Sequence, residues 1–224
     1  MLIKLCGLQD PYNITDIAQY NLDYAGFIFV KDSPRFIGLV DDVSAELSFA
    51  INALKKAGTK ITGVFKNPLK HEVELAVCNY ALDAVQLHGD ESPELCLSIG
   101  TLSSELIIIK AVSPTNLERL NEYSQCMDYF LFDTPSEDKV SGGTGKTWDL
   151  NLIAGKNIDR PYFIAGGVDI ARVEEVQNLY SAGKLRNFAG FDVNSSVEVK
   201  PGFKNSGKVN GIVKLIREYR WTTL

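Results

Sequence analysis

Short apolar runs recur along the whole chain, each closed off by a polar or glycine-containing segment. They are "LIKLC" (2–6), "YAGFIFV" (24–30), "KITGVF" (60–65), "LDAVQLH" (82–88), "ELIIIKAV" (105–112), "DYFLFDT" (128–134), "YFIAGG" (162–167) and "FAGFDVNS" (188–195). Each is rich in Ile, Val, Leu and Phe without strict alternation, the pattern of strands buried on both faces. Between them lie segments of helical length. "ITDIAQYNL" (14–22) follows Asn13, a candidate N-cap. "SAELSFAINALKKAG" (44–58) spaces Leu47, Ile51 and Leu54 by four and three and ends on Gly58. "HEVELAVCNYAL" (71–82), "PELCLSIG" (93–100), "SPTNLERLNEYS" (113–124), "DIARVEEVQNLYSAG" (169–183) and "NSGKVNGIVKLIREYR" (205–220) continue the series.

Eight strands with seven helical segments interleaved and following predict parallel pairing with right-handed crossovers. Eight such units in 224 residues predict a single (β/α)8 TIM barrel, with residues 1–224 forming one domain. A doubly wound open sheet is the runner-up, but no G-x-G-x-x-G fingerprint follows the first strand.

Composition narrows the partners rather than the fold. The net charge of −5 and the absence of a basic block argue against a nucleic-acid partner. The most apolar run, "LIIIKAV", is too short to span a bilayer, and "MLIKLCGL" enters a strand pattern at once, unlike a signal peptide. Cys6, Cys78, Cys96 and Cys126 show no C-x-x-C spacing, so they read as thiols in a reducing cytoplasm. With two histidines and no Cys/His cluster, no metal site is expected.

"GGTGKT", beginning at Gly142, resembles the end of a phosphate-binding P-loop. That motif needs G-x-x-x-x-G-K-[ST], and the position where its first glycine should stand is Val140. A nucleotide site is therefore not the reading. In a barrel of this type the active site gathers at the C-terminal ends of the strands. There the chain places Cys6, Arg35, His88, Asp133, Gly166 with Gly167, and Asp192 followed by Ser195 and Ser196. The ends of strands 7 and 8 commonly form a phosphate site from glycine-rich turns and a short extra helix. "AGG" and "NSSVE" suit that role, although "AGG" alone could be a tight turn.

These stretches together resemble the phosphoribosylanthranilate isomerase family. The resemblance is carried by "KLCGL" (4–8), "GFIFVKDSPRFI" (26–37), "GVFKN" (63–67), "VQLHGDES" (85–92), "FLFDT" (130–134), "GGTGKTWDL" (142–150), "IAGGV" (164–168) and "GFDVNSSVEVKPGFK" (190–204), in the family's order across nearly the whole chain. It implies an Amadori rearrangement of an N-linked phosphoribosyl anthranilate in tryptophan biosynthesis, without metal or organic cofactor. It further implies Cys6 as base, Asp133 as acid, and Arg35, His88 and Asp192 as substrate contacts. Gly166, Gly167, Ser195 and Ser196 become the phosphate cradle, and Gly142, Gly143 and Gly145 a lid loop.

Both catalytic roles make physical demands. The thiolate is the reactive form of a cysteine, so Cys6 needs positive charge nearby. Lys4, two residues earlier on the same strand face, is expected to help hold it, an ordinary ion pair being the alternative. Asp133 can donate a proton at neutral pH only with apolar burial or a neighbouring negative charge, which "YFLF", Asp192 or the substrate carboxylate could provide. Alone, a buried cysteine is a small apolar residue and an aspartate after a strand is a helix cap. Only the pair argues for catalysis. The family usually has S-S-G-V-E after strand 8, and Ser196 here stands in the place of the glycine. Serine would be costly there if the position needs positive φ, and tolerable if only its N–H is used.

Two other readings stay open at this point. One is a different phosphosugar isomerase on the same barrel, such as the histidine-pathway Amadori isomerase with paired aspartates at strands 1 and 5. Cys6 and Lys110 stand at those places here. The other is a non-catalytic phosphosugar-binding homologue, which Ser196 keeps in view. Beyond the phosphosugar no partner is implied, and either a monomer or a homodimer fits.

Overall fold

Eight parallel strands close on themselves in sequence order. The computed structural model describes residues 1–134 and 147–221. Its strands are β1 (Leu2–Leu5), β2 (Tyr24–Ile28), β3 (Lys60–Phe65), β4 (Ala84–Leu87), β5 (Ile107–Val112), β6 (Tyr129–Phe132), β7 (Tyr162–Ile164) and β8 (Phe188–Val193). The ring closes where β1 pairs β8, from Leu2 opposite Gly190 to Leu5 opposite Val193. Burial on both faces is the reason the runs do not alternate. Tyr24, Ala84, Ile109, Leu131, Phe163 and Ala165 pack inside the barrel, while a larger apolar shell fills the space between strands and helices. The absence of a side chain at Gly190 matters here, because a Cβ would collide with the Leu2 backbone across the β8–β1 seam.

Helices α1 (Pro11–Ile17), α2 (Ala45–Lys56), α3 (Lys70–Asn79), α4 (Pro93–Gly100), α5 (Leu120–Tyr123), α6 (Ile170–Ser181) and α7 (Ser206–Glu218) lie between the strands. Most start where the caps suggest: Ser44, Ser92, Asp169 and Asn205 each accept from a backbone N–H three residues on. Gly58 and Gly183 follow their helices at φ +84 and +69, in the left-handed region.

Four elements differ from the sequence pattern. The first helix starts at Pro11 rather than Ile14, because Asp10 caps it by accepting from the Asn13 amide at 2.8 Å. Asn13 is turned to another use, exchanging two hydrogen bonds with the Lys204 backbone. The expected helix over 113–124 shrinks to a 3-10 turn, Leu117–Arg119, and the single turn of α5. Among the described residues after β6, only a 3-10 turn at Leu150–Leu152 precedes β7. After β8 a 3-10 turn, Ser195–Val197, leads into a small antiparallel hairpin, β9 (Glu198–Lys200) with β10 (Phe203–Lys204). This hairpin had no periodic signal, being two and three residues long. The loop glycines Gly142, Gly143 and Gly145 lie outside the described residues.

Candidate active site

Alternation along each strand decides what reaches the mouth of the barrel. Lys4 and Cys6 share the inward face of the first strand, and Gln86 and His88 that of the fourth. Leu131 and Asp133 follow on the sixth, Gly190 and Asp192 on the eighth. Backbone bonds carry the pairing past the strand ends, with Cys6 N donating to Val193 O at 2.8 Å and His88 N to Phe65 O at 2.8 Å.

Cys6 is buried, and its Sγ occupies the room left by Gly26 on the next strand. A Cβ at Gly26 would come within 2.8 Å of that sulfur. Lys4, fully buried below it, donates to Asp192 Oδ1 at 2.9 Å. Burial works against the Lys4 ammonium, but Asp192 and then Cys6 override it and hold its pKa above that of an ordinary lysine. Burial pushes the Cys6 thiol up, against the pull of Lys4 and Lys204. Both cations pull toward the thiolate, and burial outweighs them. Burial also pushes the Asp192 carboxyl up; Lys4 opposes this and Asp133 adds to it. Asp192 thus links the thiol side of the mouth to the Asp133 side.

Asp133 is held from two directions. Its Oδ1 accepts from the Thr134 amide at 2.7 Å, and its Oδ2 lies 3.3 Å from His88 Nε2. The other ring nitrogen, Nδ1, lies 2.8 Å from Gln86 Nε2. Asp133 and His88 are each about a fifth exposed, at 20%. They are the part of this site open to a ligand.

Arg35 meets Glu198 through two parallel bonds, Nε to Oε1 at 2.9 Å and Nη2 to Oε2 at 2.6 Å. Glu198 also accepts from Lys204 Nζ at 2.8 Å and from the Gly202 amide at 3.0 Å. Burial would raise the Glu198 carboxyl, but these donors outweigh it and hold it below the ordinary range. Lys204, buried, reaches back to Asn194 Oδ1 at 2.9 Å. Gly7, at φ +72, lets Arg35 and Asn194 close over the turn after β1; a Cβ there would meet Arg35 Cδ at 2.6 Å. One edge of the Arg35 fork is thus spent on Glu198, a bidentate geometry that fixes its plane.

The glycine turn after β7 lies against the acid. Gly166 and Gly167 have φ +80 and +63, and a Cβ on Gly166 would sit 3.1 Å from Asp133 Oδ1. Ser195 and Ser196 form the 3-10 turn after β8. The Ser196 hydroxyl donates to the Val168 carbonyl, joining this turn to the β7 loop. Among the described residues, positive φ outside glycine occurs at Asn21, Asn67, Ala81 and Asn187. Ser196 therefore carries no left-handed strain, and its side chain does a job that glycine could not.

The structure brings all four groups to one end of the barrel. The sequence pattern missed Gln86, Glu198 and Lys204. Gln86 was legible in principle, two residues before His88 on the same face. Glu198 and Lys204 lie in the irregular segment after β8, where spacing carries no directional information.

Residues 3–215 match the sequence model of a family described as N-(5'phosphoribosyl)anthranilate (PRA) isomerase. The N-(5'-phosphoribosyl)anthranilate isomerase of Parabacteroides distasonis is 33% identical over 217 residues, 96% of this chain and 93% of the relative. The crystal structure of the phosphoribosyl anthranilate isomerase of Thermotoga maritima is 28% identical with a TM-score of 0.76, covering 98% of this chain and 100% of that one. A second crystal structure, of such an isomerase in complex with reduced 1-(o-carboxyphenylamino)-1-deoxyribulose 5-phosphate, shares the fold at 24% identity and a TM-score of 0.73. It covers 98% of this chain and 100% of the other.

Proposed function

The chain belongs to the N-(5'-phosphoribosyl)anthranilate isomerase family, and from that premise we propose how its residues divide the work. It is an intramolecular aldose–ketose isomerase of tryptophan biosynthesis. It converts N-(5-phosphoribosyl)anthranilate to 1-(2-carboxyphenylamino)-1-deoxyribulose 5-phosphate. We read residues 1–224 as one barrel domain and the phosphosugar as its one implied partner, in a monomer or homodimer. Four free thiols fit a reducing compartment, and we assign the cytoplasm.

Asp133 gives a proton to the furanose ring oxygen as the C1–O bond breaks, leaving an iminium conjugated with the anthranilate nitrogen. The Cys6 thiolate then takes the C2 proton, and the electron pair of that bond neutralises the iminium as an enolamine. Loss of the enol proton and protonation at C1 give the ketone. The cycle ends with the proton on Cys6 and none on Asp133, so both must reset before the next turnover. Asp192, bonded to Lys4 and feeling the charge of Asp133, is assigned the substrate hydroxyls or amine. Arg35, its plane set by Glu198, is assigned the anthranilate carboxylate. Gly166, Gly167, Ser195 and Ser196 are assigned the phosphate, on the strength of the backbone turns at strands 7 and 8.

One observation carries this reading: a buried thiol, on the strand face of the buried Lys4–Asp192 pair, shares the mouth of the barrel with a carboxylate oriented by a histidine. The test is turnover of freshly made substrate, followed by loss of anthranilate-type fluorescence and corrected for spontaneous decay. Wild type should turn over, while Cys6→Ser and Asp133→Asn should each lose about 10²–10⁴-fold, the contribution of a positioned acid or base. Full activity in either variant would remove that residue from its role.

A further inference from the structure

The mechanism assigns no task to Gln86, although it is buried to 1% exposure and bonded to the histidine that holds the acid. Its two amide atoms differ in kind, because Nε2 only donates and Oε1 only accepts. With Nε2 donating at 2.8 Å, His88 Nδ1 must present its lone pair. A neutral imidazole then carries its proton on Nε2, aimed at Asp133 Oδ2. That arrangement suits an ionised Asp133. It also leaves Gln86 Oε1 buried with no partner among the described residues, and an unsatisfied buried carbonyl is unfavourable. The Thr62 hydroxyl, one strand away, is buried and unpartnered in the same way.

Half a turn of the amide reverses the logic without moving any other group. Oε1 then accepts from Nδ1–H, and the His88–Asp133 pair holds two protons: one on Nδ1, one between Nε2 and Oδ2. This second setting suits an acid that still has a proton to give. When the shared proton leaves for the ring oxygen, one proton stays on the imidazole.

We propose that Gln86 is a positioning residue for the acid step: the orientation of its buried amide follows the protonation of the His88–Asp133 pair and, through His88, holds Oδ2 in one place in both states. This rests on the acid role given to Asp133. Gln86 touches no reacting atom, so it acts only through His88.

The chain contains two histidines, His88 and His71, which makes their nitrogen NMR signals assignable. The decisive measurement is the ring-nitrogen spectrum of histidine-labelled protein across pH, together with pH profiles of kcat and KM. In wild type, neutral His88 should carry its proton on Nε2. Gln86→Met, similar in length but without donor or acceptor, should give mixed tautomers at high pH. It should lower kcat about ten-fold, part of what a positioned acid contributes, and leave KM within about two-fold. Gln86→Glu should favour Nδ1–H and extend the acid limb of the kcat profile to higher pH. A wild-type His88 that stays protonated on Nδ1 alone at high pH would overturn the proposal, and that spectrum needs no variant to fold. So would an unchanged tautomer and kcat profile in Gln86→Met. Asp133→Asn run in parallel separates the cases: if it retains turnover, the acid assignment has failed rather than the role of Gln86.

Discussion

Burial raises the Cys6 thiol, and Lys4 and Lys204 pull the other way without prevailing. Lys4 is the stronger of the two cations, so Lys4→Met should move the Cys6 titration further up and slow its alkylation at fixed pH. Peptide mapping of alkylated Cys6 would show this, and an unmoved titration would leave Lys4 only its ion pair with Asp192. Gly26→Ala tests the space around the same sulfur. The added Cβ would meet Cys6 Sγ at 2.8 Å and Cys6 Cα at 3.1 Å, so the thiol must shift. The expected cost is about 1–3 kcal/mol in stability, with a fall in kcat, read by thermal melting and kinetics. At Ser196 the substitution runs toward the family's residue. Ser196→Gly removes the hydroxyl bond to the Val168 carbonyl, a contribution of about 0.5–1.5 kcal/mol. It should raise KM by up to about ten-fold with kcat nearly unchanged, because only the alignment of the two phosphate loops is lost. An unchanged KM would show that the loops hold their places without it.

At the scale of elements, the turn that carries His88 is braced by a buried ion pair. Lys110 on β5 donates to Glu91 Oε2 at 2.9 Å and to the Leu87 and Gly89 carbonyls, while Glu91 accepts from the Asn67 and Gly89 amides. Removing one partner of such a pair costs about 3–5 kcal/mol. Glu91→Gln should therefore lower Tm by roughly 6–20 °C in a chain of this size, and a shift of a degree or two would mean that the carbonyls alone satisfy Lys110. The sequence made the eight strands readable because strands buried on both faces must be apolar throughout. Helix starts were readable where one residue could cap, and misread at Asn13, whose amide serves Lys204 rather than α1. Cys6, His88, Asp133 and Asp192 could be placed because they stand at or just past the C-terminal ends of strands whose direction was known. Glu198, Lys204 and Glu91 could not, because they lie in irregular segments beyond the strands, where spacing does not say which way a side chain points.

For the whole molecule, these ionisable groups bound stability on both sides of neutral pH. Glu198 is held below an ordinary glutamate, so its pairing with Arg35 and Lys204 is fully present above the unfolded value of about 4.3 and is lost as pH falls through the lower folded value. The buried thiols act on the alkaline side. Burial raises Cys6 and Cys126, and Cys96 is pushed up to about 12. An unfolded thiol ionises near 8.5. Above that pH the unfolded chain sheds protons that the folded chain retains, so stability falls by up to about 1.4 kcal/mol per pH unit for each buried thiol. In the same window the Cys6 thiolate population climbs toward its raised value, while the acid step still needs a proton on Asp133. Stability should thus fall and the thiolate fraction of Cys6 rise together as pH climbs from about 8.5 to 10, and one residue contributes to both trends. Cys6→Ala isolates its share: denaturant unfolding across that window should show a slope of ΔG with pH made shallower by up to about one proton, with turnover down about 10²–10⁴-fold. A slope identical to wild type would mean that Cys6 is not held as a thiol in the folded protein, and that Lys4 and Lys204 prevail over burial.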